Sequence, residues 1–112
     1  MSESKKHAHH CVQHAEVKLL EAAMAAEEEI RAYLVDEARD HLLRAESLHP
    51  GSGAWRMACL SGRQGRKPMC QQWLKRAHKL GALPSRAEVE NCADLAPVRH
   101  EQWFKALLSA LE

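Results

Sequence analysis

The stretch Ala38-Arg39-Asp40-His41-Leu42-Leu43-Arg44-Ala45-Glu46-Ser47-Leu48-His49-Pro50-Gly51 decides the fold. Ala38, Leu42 and Ala45 fall four and three residues apart, the spacing of one helical face. Pro50 cannot continue that helix, and Gly51 suits the turn beyond it. Thirty-two residues later the same frame returns. Leu42-Leu43-Arg44-Ala45-Glu46-Ser47-Leu48 aligns with Leu74-Lys75-Arg76-Ala77-His78-Lys79-Leu80 through a shared Leu-x-Arg-Ala-x-x-Leu, and Ala38 aligns with Cys70. A small residue on the second helix of a hairpin lets its partner helix come close, and the bulky residue four later fills the gap to the next hairpin. Repeats of helical pairs carry such residues at fixed offsets for this reason.

Working outward, the rest of the chain reads as helix too. Its 112 residues include 18 Ala and 14 Leu against 5 Val, 1 Ile and no Thr. Ala and Leu lose little freedom in a helix, whereas β-branched residues lose χ1 freedom there. Residues 1–6 are polar and are expected to be disordered, ahead of a single helical domain over 7–112. A first helix is expected from about His9 to Glu29, with Val12, Leu19, Leu20, Ala23 and Ala26 on its apolar face. A second runs from about Leu34 to Leu48, with the turn before it near Arg31–Leu34. A third spans Trp55–Arg63, and a fourth Lys67–Leu80 with Pro68 in its first turn and Gly81 as its stop. Ser85-Arg86-Ala87-Glu88 has the form of a capping box and opens a short fifth helix. Asp94 and Pro97 are expected to open the last helix, with Trp103, Leu107, Leu108 and Leu111 on its apolar face. The fold class is therefore all-α, with stacked antiparallel helical hairpins and five to six helices.

Ala38-x3-Leu42-x2-Ala45-x4-Pro50 resembles the second-helix signature of the tetratricopeptide repeat family. Trp55, Met57, Ala58, Leu60 and Gly65 resemble the first helix and turn of the next repeat, and Cys70-x3-Leu74-x2-Ala77 its second helix. Asp94-Leu95-Ala96-Pro97-Val98-Arg99, followed by Trp103-Phe104-x2-Leu107-Leu108, resembles the segment that closes repeat arrays in many bacterial proteins of this kind. The resemblance spans about residues 34–112. It implies a superhelical scaffold whose groove holds a partner segment, with no catalytic chemistry. One subtype of the family grips acidic carboxyl-terminal tails through Lys, Arg and Asn. The full clamp is absent here, since Asn91 is the single asparagine.

Net charge is only +1, but its distribution is uneven. From Ala15 to Glu46 there are nine acids and four bases, while from Ser47 to Ala87 there are eight bases and no acid. Such a block steers acidic partners, and an acidic half beside a basic half also permits self-association. Arg56 and Arg63 lie seven apart on one face of the third helix and can grip a carboxylate. With Arg66, Lys67 and the anchor Trp55 they form the expected partner-binding set. The function expected is a protein-interaction adaptor or assembly factor binding a protein with an acidic segment.

A second pattern carries metal chemistry. In His7-Ala8-His9-His10-Cys11-Val12-Gln13-His14, the residues His7, His10, Cys11 and His14 fall at i, i+3, i+4 and i+7, one helical face. Imidazole and thiolate are ligands for zinc, copper(I) or nickel. One straight helix seldom closes a four-coordinate shell, so His41 or His78 would have to contribute. The alternative function is thus metal binding or delivery. The four cysteines lack paired zinc or redox spacing and read as free thiols packed as small hydrophobes.

The longest strictly apolar run is Ala22–Ala26, so no membrane span is expected, and the location expected is cytoplasmic. Ser61-Gly62-Arg63-Gln64-Gly65-Arg66-Lys67 is glycine-rich and basic but lacks the Gly-Lys-Ser/Thr ending of a phosphate cradle. No nucleophile and base pair is recognisable, so an enzyme is not expected. Nucleic acid is not expected as a partner either, because no recognition-helix motif accompanies the basic block.

Overall fold

The computed structural model describes residues 2–111. The chain is all-α, with six α-helices, one 3-10 helix and no strand among the described residues. These elements gather into two compact units that divide between Gly53 and Ala54, where the sequence pattern suggested one domain.

The first unit is a hairpin of α1 (Glu3–Met24) and α2 (Glu28–Leu48). Helix α1 starts well ahead of the expected His9 and takes in residues predicted to be disordered; Met1 lies outside the described residues. The reason is local: the Ser2 side chain accepts the backbone N–H of Lys5 at 3.1 Å, satisfying one orphan donor of the first turn. The turn is at Ala25–Glu27, earlier than the expected Arg31–Leu34. Arg31 belongs to α2 and reaches back, its Nη2 donating to the Ala25 carbonyl at 2.9 Å while Nη1 pairs with Glu28. A turn without glycine is closed by a side chain instead.

The antiparallel register follows from two cross-helix contacts. His14 stacks on His41, and Lys18 pairs with Glu37 at 3.5 Å. As one number rises by four, the other falls by four. Small residues repeat every seven positions along each helix. Ala8, Ala15 and Ala22 on α1 and Ala38 and Ala45 on α2 are all buried. Flat stripes of this kind let two helices approach along their length. They also move the buried face of α1 away from its expected position, leaving Leu20 64% exposed, with Ala23 and Ala26 exposed too. Beyond α2 the chain turns at Gly51, and the buried Glu46 carboxylate accepts the N–H groups of Gly51 and Gly53.

The second unit contains α3 (Ala54–Arg63), α4 (Lys67–Lys79), α5 (Arg86–Asn91), the 3-10 helix η1 (Ala93–Val98) and α6 (Gln102–Ala110). Pro68 sits in the first turn of α4, where its missing N–H costs nothing. Gly81 stops that helix at φ +68°, a left-handed conformation that glycine adopts without a Cβ clash. Ser85 caps α5 by accepting the Glu88 N–H at 3.3 Å, one half of the expected capping box. Asp94 and Pro97 do not open the last α-helix. They lie in η1, which ends before a turn at 99–101, and α6 starts afresh at Gln102. Pro97 has no N–H to donate, so the segment does not run on as a regular α-helix. The core joins Cys70 and Leu74 of α4 to Val89, Leu95, Val98 and Phe104. Full burial of side chains the size of Leu74 and Phe104 is worth about 1.5–3 kcal/mol each. The aligned frame is buried alike in both units: Ala38, Leu42 and Ala45 in one, Cys70, Leu74 and Ala77 in the other.

Candidate functional site

Three groups of side chains carry chemistry. The first lies in the first unit. His7, His10, Cys11 and His14 share one side of α1, as their spacing requires, and line a groove of about 280 Å³ with His41 and Arg44 of α2. The α1 histidines are exposed and Cys11 is half-buried. The His14 and His41 rings stack with centroids 5.4 Å apart and planes 25° from parallel. His41 is thus the α2 residue facing the cluster, whereas His78 lies on α4 in the second unit. The groove holds no set of three donor atoms within 4.8 Å of one another. Closing a shell there needs rotation of the exposed rings.

The second group is the set of bases on the α3–α4 hairpin and just beyond it. Arg56 and Arg63 on α3, Arg66 in the turn and Lys67 at the start of α4 are all exposed. So are Lys75, Arg76, Lys79 and Arg86, which makes every base of the acid-free stretch a surface residue. Trp55 is half-buried and packs against the core of its own unit, as do Trp73 and Trp103.

The third group has no counterpart among the sequence-based expectations. Among the described residues, Cys59, Cys92 and Asp94 bring their Sγ, Sγ and carboxylate atoms within 4.8 Å of one another. Cys59 is on α3. Cys92 sits at the joint between α5 and η1, and Asp94 in the first turn of η1. The two sulfurs are 3.8 Å apart. Burial pushes the Cys59 thiol far above its ordinary range, and Cys92, Asp94 and Cys70 push it further. Cys70, fully buried in the core, is pushed up to about 11 by burial and then by Cys92. The sequence offers Cys92-x-Asp94 as a local signal, but Cys59 is 33 positions away. Only the path of the chain between them makes the set visible.

The chain matches no model of a known protein family, no curated protein and no solved structure. No helix among the described residues is long and apolar enough to cross a membrane.

Proposed function

We propose that this protein is an interaction module of tetratricopeptide type, working as an adaptor or assembly factor that docks an acidic segment of a protein partner. The observation that carries the reading is the acid-free stretch Ser47–Ala87, whose eight bases are all exposed, seven of them on the α3–α4 hairpin and Arg86 at the start of α5. Guanidinium groups at Arg56 and Arg63 present planar donor forks suited to carboxylates. The burial frame common to Ala38-Leu42-Ala45 and Cys70-Leu74-Ala77 supports the family reading. A reducing cytoplasm suits the four free cysteines. The test is titration of the protein with a fluorescent Asp/Glu-rich peptide at low salt. The expected result is binding that weakens as salt rises and falls by roughly tenfold in Arg56→Glu/Arg63→Glu at unchanged helicity, a loss of about 1.4 kcal/mol. Binding indifferent to both changes would remove the reading.

The groove of the first unit favours a second reading, metal binding or delivery, because ligating side chains of both helices line it. Calorimetric titration with zinc, nickel or copper(I) tests it in the Cys59→Ser/Cys92→Ser background. Saturable uptake should disappear in His10→Ala/His14→Ala. Uptake that survives those changes counts against the groove.

A further inference from the structure

The Cys59, Cys92 and Asp94 cluster combines soft and hard donors on a rigid frame. Helix α3 and η1 lie flush because Gly62, three residues after Cys59 and on the same side of α3, has no side chain. A Cβ there would come 2.6 Å from the Asp94 carbonyl oxygen and 3.1 Å from Leu95 Cδ2. The missing methyl group lets the segment bearing Asp94 settle against the helix bearing Cys59. The backbone at Cys92 is fixed from two sides: its carbonyl accepts Arg99 Nη2 at 2.7 Å and the Leu95 N–H at 3.1 Å.

The distances fit a particular coordination geometry. Around a tetrahedral ion with metal–sulfur bonds of about 2.3 Å, two thiolates stand about 3.8 Å apart. The Cys59 and Cys92 sulfurs are 3.8 Å apart. A carboxylate oxygen on the same ion lies a little closer to each sulfur, and the Asp94 oxygen is within 4.8 Å of both. We propose that Cys59, Cys92 and Asp94 form a binding site for a divalent thiophilic ion, zinc(II) foremost, with water in the fourth position.

The mixed donor set decides between ions. Copper(I) prefers sulfur alone, whereas zinc accepts thiolate and carboxylate together. Calcium and magnesium take oxygen ligands. Binding is a proton-for-metal exchange with no change of oxidation state. Each thiol releases its proton to solvent, both sulfurs bond to the ion, and the carboxylate binds as it is. Two thiolates and a carboxylate on a dication leave one negative charge. Arg99, anchored at the Cys92 carbonyl with its Nε buried and without a hydrogen-bond partner, supplies a positive charge beside it.

The test uses the 112-residue chain carrying Cys11→Ser, which removes the one thiol of the other groove, kept reduced by a phosphine. Cobalt(II) is added as a spectroscopic probe. The expected result is an equimolar tetrahedral complex with a sulfur-to-cobalt charge-transfer band, bleached by zinc. Cys59→Ser and Cys92→Ser abolish the band. Asp94→Asn, nearly the same size and shape, keeps the helicity and weakens binding by roughly tenfold or more, as even outer-shell losses do. Absence of the band in the reduced protein overturns the proposal. So does a band that persists in Cys92→Ser, or an affinity untouched by Asp94→Asn.

Discussion

Glu46 holds the backbone of Gly53 through a hydrogen bond of 2.9 Å, seven residues along the chain, and the same carboxylate takes the Gly51 N–H at 2.8 Å. One buried acid thereby organises the exit from α2. It also fixes a close approach, because a Cβ on Gly53 would collide with the Leu42 carbonyl oxygen. Glu46→Ala leaves both donors without this acceptor and should cost about 1–3 kcal/mol. Glu46→Gln keeps one acceptor oxygen and should cost less. Urea midpoints at constant slope measure both; equal stability of Glu46→Ala and wild type would show that water serves these N–H groups as well.

Gly62→Ala should push η1 away from α3. The added carbon has only the Asp94 carbonyl and the Leu95 side chain to displace, and overpacking of this kind costs about 1–3 kcal/mol. The same change should lower the affinity for cobalt(II), since Asp94 moves with η1. Thermal unfolding and the cobalt titration read the two effects separately. An alanine variant as stable as the parent would mean that the segment yields freely.

The repeat frame makes unequal demands on its two leucines in the second unit. Leu74 is 1% exposed and Leu80 is 42% exposed. Leu74→Ala should cost about 2–5 kcal/mol, and Leu80→Ala should stay within about 0.5 kcal/mol of the parent. Similar losses at both positions would argue that Leu80 is covered in solution, which analytical ultracentrifugation would detect as association.

Cys70 contributes to the alkaline limit of stability. Its folded thiol keeps the proton up to about pH 11, because burial and then Cys92 disfavour the thiolate, whereas the unfolded thiol loses it near 9.0. The stabilisation is therefore complete below pH 9 and declines as pH rises through 11, with a slope of up to about 1.4 kcal/mol per pH unit. Cys70→Ala should reduce the slope between pH 9 and 11, although it lowers the overall level; the slope that remains belongs to Cys59, whose thiol is also pushed up by burial. An identical slope in the two proteins would assign the alkaline loss to other groups.

The end of α2 and both ends of α4 were legible because their signals are covalent facts about backbone freedom. Pro50, Pro68 and Gly81 each act where the sequence places them. The capping serine Ser85 was legible because its hydroxyl accepts a backbone N–H only three residues along the chain. The first turn was not, because it is closed by the long side chain of Arg31 rather than by a turn residue. The apolar face of α1 was misplaced because alanines, weak as hydrophobic signals, set the packing and outrank Leu20. Pro97 marks a break in the sequence, but the form of the break, a 3-10 segment in place of a helix start, depends on how Leu95 and Val98 reach the core. The histidine face of α1 could be drawn from spacing alone. Cys59, Cys92 and Asp94 could not, since nothing local ties residues on α3 to residues on η1.

The alanine stripes of the first hairpin have a genetic consequence. At Ala8, Ala15, Ala22, Ala38 and Ala45 the side chain is buried at 3% exposure or less. From an alanine codon, single-base changes lead to serine, threonine, proline, valine, aspartate, glutamate or glycine. Every one except glycine is bulkier, and glycine in a helix costs about 1 kcal/mol. These positions therefore have few neighbours in sequence space. Lineages of this hairpin should diverge freely along its rim while its alanines stand still, a spaced pattern by which distant descendants could be traced.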